Sequence, residues 1–201
     1  MRSYARMNGG MQVDSVRVPL YRRLIGQDYE RMPSIVQRMH DVRNEIVARG
    51  MANLHRPKSN AANFLGTLMG MPPAGIDLPA YVTFTWDGKA EVLRRKYGTS
   101  VLETIQQEGT GRDTGHLLEK FGPVSLVIKL IGDENQLSFQ IVRARLFGML
   151  LPKFAWPTLD AREWEENGWY RFSVAIGLPI LGQLIHYEGS LKIEAEVARG
   201  A

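Results

Sequence analysis

The sequence has no cysteine among its 201 residues, which excludes disulfides, thiolate zinc sites, iron–sulfur clusters and cysteine nucleophiles. Histidine is scarce, and none of the four lies at a spacing typical of metal ligands, so we expect neither a metal nor a cofactor. Long apolar runs are lacking too, because the two richest stretches, 124–131 and 174–185, are interrupted by Lys129 or by glycine and proline. Both fall short of the roughly 18 to 20 apolar residues of a membrane-spanning helix, so no transmembrane segment is expected.

Neither sign of charge dominates, since 25 Lys and Arg stand against 21 Asp and Glu and the charges are dispersed along the chain. The densest basic groups, 21–23 and 94–96, match no DNA- or RNA-binding pattern and are typical of a solvated face. We therefore expect no nucleic-acid partner. Residues 1–12 contain no apolar core of signal-peptide length, so we expect a cytoplasmic protein.

The composition that is present, 44% hydrophobic and 23% charged residues, is typical of a globular domain. No change in composition and no internal repeat marks a second domain. The sequence predicts a flexible tail over 1–17, a single domain over 18–196 and a short tail over 197–201.

Helical periodicity is concentrated near the start of the chain. Apolar residues recur at helical spacing from Leu20 to Ile25, and Gly26 is a typical helix end. Pro33-Ser34 opens a second helix, which ends near His40, a residue expected to interact with the helix C-terminus. A third helix is predicted over 60–69. Two to three helices therefore precede most of the remaining elements.

Period-two alternation, typical of β-strands, is found in most of the rest of the sequence. Strands are predicted at 81–86, 91–97, 101–107, 124–131, 137–146, 158–165, 170–178 and 184–193, with 45–54 as a ninth candidate. Short turns join most of them, which favours antiparallel pairing. A sheet of eight or nine strands must twist and curl. We therefore expect an α+β protein, mostly antiparallel β, whose strongly curved half-barrel or barrel is covered by the N-terminal helices.

Five short segments occur in an order that is typical of one protein family. They are 20–26 (LYRRLIG), 39–40 (MH), 68–75 (LMGMPPAG), 118–123 (LEKFGP) and 178–189 (LPILGQLIHYEG). Together they resemble the bacterial domain-of-unknown-function family 4166 over about residues 18 to 194. In some relatives this domain lies beside an NAD-binding epimerase-like or saccharopine-dehydrogenase-like domain. The resemblance therefore implies an accessory role near an NAD-dependent oxidoreductase, although this chain lacks a dinucleotide-binding Gly-x-Gly-x-x-Gly motif of its own.

The last predicted strand carries residues capable of acid–base chemistry. Alternation places His186 and Glu188 on one face and Tyr187 with Leu191 on the other. Because the apolar face should meet the core, we expect Tyr187 to point inward. His186 and Glu188 would then face solvent or the covering helices, where His186 is either a catalytic candidate or a structural histidine.

The strand over 137–146 contains arginines in a row that is otherwise apolar. Alternation predicts that Phe139, Arg143 and Arg145 share one face. A buried guanidinium needs a partner, and Glu163 is expected to form a salt bridge with Arg143 that lines a cavity. The arginines would then bind a carboxylate or phosphate group, the alternative being an ion pair at the edge of the core.

The strand over 158–165 has a second alternating pattern. Glu163 is predicted on one face with Leu159 and Ala161, while Arg162 and Trp164 lie on the other.

Two apolar segments, 146–157 (which includes Trp156) and 174–185, lie where the chain turns between predicted strands, and we call them the apolar corners. Three interpretations of these corners stay open. They form the rim of a pocket, they form a surface that meets a membrane or a partner, or they complete the core by folding over the end of the barrel.

We therefore expect a binding module that holds an apolar or amphipathic small molecule between the curved sheet and the helices. The candidate ligand-binding residues are Arg143, Arg145, Arg162, Phe139, Trp156 and Trp164. One alternative is a cofactor-independent isomerase or cyclase that uses the same cavity. Its candidate catalytic residues are Glu163, His186, Glu119 and Tyr187. The other alternative is an interaction domain that docks onto an NAD-dependent oxidoreductase, which a fully packed interior would favour.

Overall fold

The computed structural model describes residues 17–197, so the predicted tails lie almost entirely outside the described part of the chain. Within this part there are three α-helices: α1 Leu20–Ile25, α2 Ser34–His40 and α3 Asn60–Leu68. The strands are β1 Glu45–His55, β2 Gly75–Trp86, β3 Glu91–Tyr97, β4 Ser100–Glu108, β5 Leu117–Phe121, β6 Val124–Gly132, β7 Gln136–Leu146, β8 Met149–Leu150, β9 Thr158–Glu166, β10 Trp169–Leu178 and β11 Gly182–Val197. Three short 3₁₀ segments, Gly26–Arg31, Gly111–Asp113 and Lys153–Ala155, complete the set.

Ten of these strands close a barrel. Their order is β6-β5-β4-β3-β2-β1-β11-β10-β9-β7, and β7 pairs back onto β6, with every pairing antiparallel. β8 lies outside the ring as a short hairpin partner of β7. Closure pairs the backbone groups that an open sheet would leave exposed at its edges.

The predicted mostly antiparallel sheet and its curvature into a barrel are confirmed. The predicted number of strands, eight or nine, is too low because β5 and β8 were not recognised. β5 has only five residues and begins with adjacent leucines, Leu117 and Leu118, which obscure the alternation. β8 has two residues, fewer than any periodicity can show.

The N-terminal helices close one end of the barrel, which we call the plugged end. There the buried Glu91 carboxylate accepts hydrogen bonds from the backbone N–H of Leu20, at 3.2 Å, and from the guanidinium of Arg17. At Gly132 a side-chain Cβ would lie 2.5 Å from the sulfur of Met32, so a larger residue would displace the Met32 side chain that packs against β6. The predicted covering of the sheet by the helices is confirmed at this end.

The opposite end of the barrel, which we call the mouth end, is formed by five connecting segments: 56–74, 98–99, 122–123, 147–157 and 179–181. The first of these contains α3, whose N-terminus is capped by the Ser59 hydroxyl accepting from the Ala62 N–H. The buried core runs from the plug into the barrel and includes Tyr21, Met39, Leu117, Ile128 and Leu191. It therefore fills the plugged end and continues along the wall to Leu54 and Leu184 near the mouth end.

Within residues 17–197, no helix combines the length and the apolar character needed to cross a bilayer.

Candidate functional site

The barrel encloses a cavity between the plug and the mouth end. Its volume is about 140 Å³, and a smaller lobe of about 50 Å³ next to the plug shares Arg95, Glu163 and Tyr187 with it. Most of the wall is apolar. The apolar lining includes Met69, Met71, Leu126, Ile128, Phe139, Leu159, Val174 and Ile176. A cavity with a mostly apolar wall and a few polar groups has the character of a site for a small organic molecule.

One polar cluster in the wall centres on Arg95 of β3. Its Nη2 donates to Thr104 Oγ1 at 2.9 Å and to Glu119 Oε1 at 3.5 Å, and its Nη1 donates to the Tyr187 hydroxyl at 3.2 Å. The side chains of Arg95 and Glu119 are both largely buried, so each charge depends on the other for compensation. The result is an inner surface with hydrogen-bonding capacity and no net charge.

The tyrosines of this cluster remain neutral. Burial raises the pKa of the Tyr187 hydroxyl. The positive charge of Arg95 lowers this pKa, and the Glu119 carboxylate raises it further, so that the net shift is upward. Burial also raises the pKa of Tyr97, whose ring lies 5.8 Å from that of Tyr187. Burial disfavours the charge on Arg95, but Tyr187, in its ionised form, and the Glu119 carboxylate outweigh this effect and raise the pKa of Arg95. Arg95 is therefore a permanent cation in the wall, with neutral phenols beside it.

A second polar cluster lies where the plug meets the cavity. The fully buried His40 of α2 places Nε2 at 2.6 Å from Oε2 of Glu163 on β9. The Tyr21 ring stacks on the His40 ring at 3.8 Å, and the Tyr21 hydroxyl donates to Gln106 Oε1 at 3.3 Å. Burial and the Glu163 carboxylate both raise the pKa of Tyr21 and that of Tyr170. This cluster joins helix α2 to the barrel wall.

Four of the residues predicted from the sequence line this cavity: Glu163, Glu119, Tyr187 and Phe139. The predicted inward orientation of Tyr187 is confirmed, as is the face that Glu163 shares with Leu159. No observation tests their catalytic or ligand-binding roles, which stay predictions.

His186 lies on the outer wall of the barrel, as the alternation predicts. Its Nε2 is 3.0 Å from Ser173 Oγ and 3.9 Å from Glu188 Oε2, and its ring stacks at 5.7 Å on that of His55. The barrel wall separates it from Glu163, so the two nominated acid–base residues belong to different sites.

The prediction that Arg143 and Arg145 continue the inward row of Phe139 is wrong. Ile128 pairs with Ile141 and Val127 with Arg143, so one extra residue of β7 forms a β-bulge that shifts the alternation. Both arginines therefore lie outside the barrel.

The expected salt bridge between Arg143 and Glu163 is also wrong. Arg143 and Arg145 both pair with Asp113, and the Arg145 Nη2 donates to Asp113 Oδ2 at 2.6 Å. Burial opposes ionisation of Asp113, but its hydrogen bonds with the two arginines prevail and lower its pKa. The two arginines thus connect the 3₁₀ segment Gly111–Asp113 to β7 and do not face a ligand inside the barrel.

We expect Asp113→Asn to lower the free energy of unfolding by about 1–3 kcal/mol at neutral pH, because two arginines lose their carboxylate. Since folding lowers the pKa of Asp113, its stabilisation is present above the unfolded pKa, about 3.9, and is lost as pH falls through the folded value. The difference between variant and wild type should therefore shrink toward about pH 3. Urea unfolding across this range measures it. Asp160→Asn, at an exposed position, serves as the control; a difference independent of pH would contradict the assignment.

Arg162, Trp164 and Trp156 do not line the cavity. Arg162 and Trp164 lie on the outer face of β9, which confirms the predicted division of faces but places both away from an enclosed ligand. Trp156 donates its indole N–H to the carbonyl of Leu151 at 2.8 Å and so fixes the segment 147–157. The expectation that these three side chains line an inner ligand-binding surface is therefore wrong, because all three lie outside the cavity wall.

Sequence reasoning missed the two inner groups with the most specific contacts. Arg95 was assigned to a solvated basic face, yet it alternates with the buried Leu93 and Tyr97 on β3, a signal that could have placed it inside. His40 is predicted to interact with the end of its own helix, and no local pattern indicates its long-range contact with Glu163.

Comparisons with known proteins give one match. A family model described as a domain of unknown function (DUF4166) matches residues 32–191, which include α2 and the barrel from β1 into β11. No curated protein and no solved structure gives a significant match. The matched region contains the Arg95 cluster, the contact between His40 and Glu163 and most of the cavity wall, whereas Tyr21 of the second cluster precedes it.

Proposed function

The chain belongs to the DUF4166 family, as the sequence resemblance predicted, and since that family has no assigned activity we propose a function from the site itself. We propose that the protein is a binding module for an apolar or amphipathic small molecule held inside the barrel. The observation that carries this proposal is the cavity, closed by helices at one end, open at the other and apolar over most of its wall. A packed interior would instead have favoured a docking domain.

The inner charges favour a ligand whose polar end is uncharged. Arg95 is compensated by Glu119, and the remaining carboxylate, Glu163, contacts His40. A charged headgroup would add an uncompensated charge to a largely desolvated space, which is costly. A hydroxyl, carbonyl or amide could exchange hydrogen bonds with Thr104, Tyr187 or Arg95 without this cost, while its apolar part extends toward the mouth.

Native mass spectrometry of freshly purified protein, followed by extraction and mass identification, tests the proposal directly. We expect an uncharged amphiphile bound at close to one molecule per chain. For protein that has lost its ligand, titration with the neutral fluorophore N-phenyl-1-naphthylamine should show saturable binding. An unliganded mass together with no binding of this probe would contradict the proposal.

A variant that fills the cavity locates the binding. Ala161→Phe adds a ring to a side chain that lines the wall, so we expect at least about tenfold weaker binding of N-phenyl-1-naphthylamine. Asp160→Phe adds the same ring to the neighbouring outward position and should leave the affinity unchanged. Circular dichroism checks that both variants fold. Equal affinities for two folded variants would place the probe elsewhere.

A second candidate, a cofactor-independent isomerase or cyclase, is favoured by Glu163, which lines the cavity and contacts the buried His40 behind it. A carboxylate and an imidazole at 2.6 Å can relay a proton to a bound substrate. If the extracted compound is converted on incubation with the protein, Glu163→Gln should abolish turnover while the compound still binds. Full turnover would remove Glu163 from the mechanism. The role beside an NAD-dependent oxidoreductase, implied by the family resemblance, stays a prediction.

A further inference from the structure

The mouth end exposes a group of large apolar side chains that we call the mouth rim. It consists of Phe64, Phe147, Met149, Leu150, Phe154 and Ile180. Ile180 is 92% exposed and Phe154 is 78% exposed. Single exposed apolar residues are ordinary, but several at one end of a molecule indicate a surface that meets something apolar. The two apolar stretches singled out in the sequence thus do not complete the core at these positions.

Charge is distributed unequally between the two ends of the barrel. The five mouth-end segments contain three basic residues, Arg56, Lys58 and Lys153, and no aspartate or glutamate. Acidic residues are instead found in connections at the plugged end, including Asp87, Asp133 and Glu134. Asp77 of β2 and Asp160 of β9 lie on the strands just inside this end, so the absence of acidic residues holds for the connecting segments alone. Connecting segments that combine protruding apolar side chains with only basic charged residues are complementary to an anionic lipid bilayer.

Two of the segments that carry the mouth rim also contribute to the cavity wall. Met69, Met71 and Pro72, from the same segment as Phe64, line the cavity, as does Pro157 at the end of the segment that contains Phe154. An apolar molecule could therefore pass between a membrane and the cavity along a continuous apolar path. Exposure to water during transfer, which is unfavourable for such a molecule, would be avoided.

We propose that the mouth rim docks onto an anionic lipid bilayer and that the cavity exchanges its ligand with that bilayer. The docking follows from the rim and its charge, whereas the exchange rests on the proposed binding function. Phe147, Phe154 and Ile180 insert between lipid headgroups, and Lys58 and Lys153 lie against the anionic surface. The plug then faces away from the membrane and keeps the far end of the cavity closed.

Vesicle flotation tests the docking. Wild-type protein should float with vesicles of phosphatidylcholine and phosphatidylglycerol, and less with phosphatidylcholine alone. Phe154→Ser combined with Ile180→Ser should lower the bound fraction about fivefold. The matched control combines Val18→Ser with Ile131→Ser, exposed apolar residues toward the plugged end, and should float like wild type. Equal flotation of the rim variant and the control would overturn the proposal.

The charge component has its own pair of variants. Lys58→Glu combined with Lys153→Glu should lower binding to the phosphatidylglycerol vesicles about fivefold and have little effect on pure phosphatidylcholine. Lys89→Glu, an exposed lysine in the turn between β2 and β3 at the plugged end, is the control and should not change binding. Unchanged binding of the mouth-end charge variant to anionic vesicles would overturn the electrostatic part of the proposal.

Parallel titration with N-phenyl-1-naphthylamine separates docking from ligand binding. The Phe154→Ser and Ile180→Ser variant should retain probe binding in vesicle-free solution, whereas Ala161→Phe should float but bind the probe weakly. Wild-type protein that binds the probe and does not float overturns the docking and leaves the binding function standing. A third outcome is that the wild-type protein does not bind vesicles but forms a dimer, and that the rim substitutions dissociate this dimer. The rim would then be a protein–protein interface, which also overturns the docking.

Discussion

Replacing His40 with alanine is expected to lower the free energy of unfolding by about 3–5 kcal/mol. His40 is fully buried, stacks on Tyr21 and contacts the edge of the Phe84 ring at 5.3 Å. Its removal leaves a cavity between the plug and the barrel and deprives the largely buried Glu163 carboxylate of its partner at 2.6 Å. Both effects act on the same contact between helix α2 and β9, so we expect the plug to loosen. Urea unfolding followed by circular dichroism measures the loss.

Two comparisons show whether the contact with Glu163 is responsible. His55→Ala, the same substitution at an exposed position on the outer wall, should change stability by less than about 0.5 kcal/mol. His40→Leu combined with Glu163→Leu replaces the polar pair by apolar side chains and should recover much of the loss. A double-mutant cycle gives the coupling between the two residues. Independent, additive effects would contradict a direct stabilising contact.

The sequence predicted the type of most elements because their signals are local. Turn residues such as Asn167-Gly168, both with positive φ in the structure, and alternation along β10 depend only on neighbouring positions. For the same reason, the prediction of which β11 side chains point into the barrel is confirmed: Tyr187 lies inside and His186 outside. Local pattern therefore sufficed for the type of these elements and for the facing of Tyr187 and His186.

The candidate site was harder to predict because it depends on register and on contacts between distant segments. One additional residue at Val142 moves Arg143 and Arg145 from the inner to the outer face, and no feature of the sequence marks that bulge. The partner of Glu163 is 123 positions away, on a helix whose docking site is set by the closed barrel. A charged residue inside, Arg95, was missed because solvation is the usual state of a basic cluster.

Replacing Arg95 with methionine is expected to lower the free energy of unfolding by about 3–5 kcal/mol, because the largely buried Glu119 loses its counter-charge. Methionine occupies much of the volume of the arginine stem, so the effect reports charge more than packing. Arg94→Met, at the adjacent exposed position of β3, should change stability by less than about 0.5 kcal/mol. Urea unfolding of the three proteins provides the measurement.

Adding Glu119→Gln to Arg95→Met removes the uncompensated carboxylate and should restore most of the stability. A double variant no more stable than Arg95→Met alone would contradict the pairing of the two charges. The folded double variant also separates the two parts of ligand recognition. It should still bind N-phenyl-1-naphthylamine, which needs only the apolar wall, but hold the natural amphiphile at lower occupancy, because its polar end loses the guanidinium. Loss of both together would mean that Arg95 maintains the shape of the cavity rather than the recognition of a headgroup.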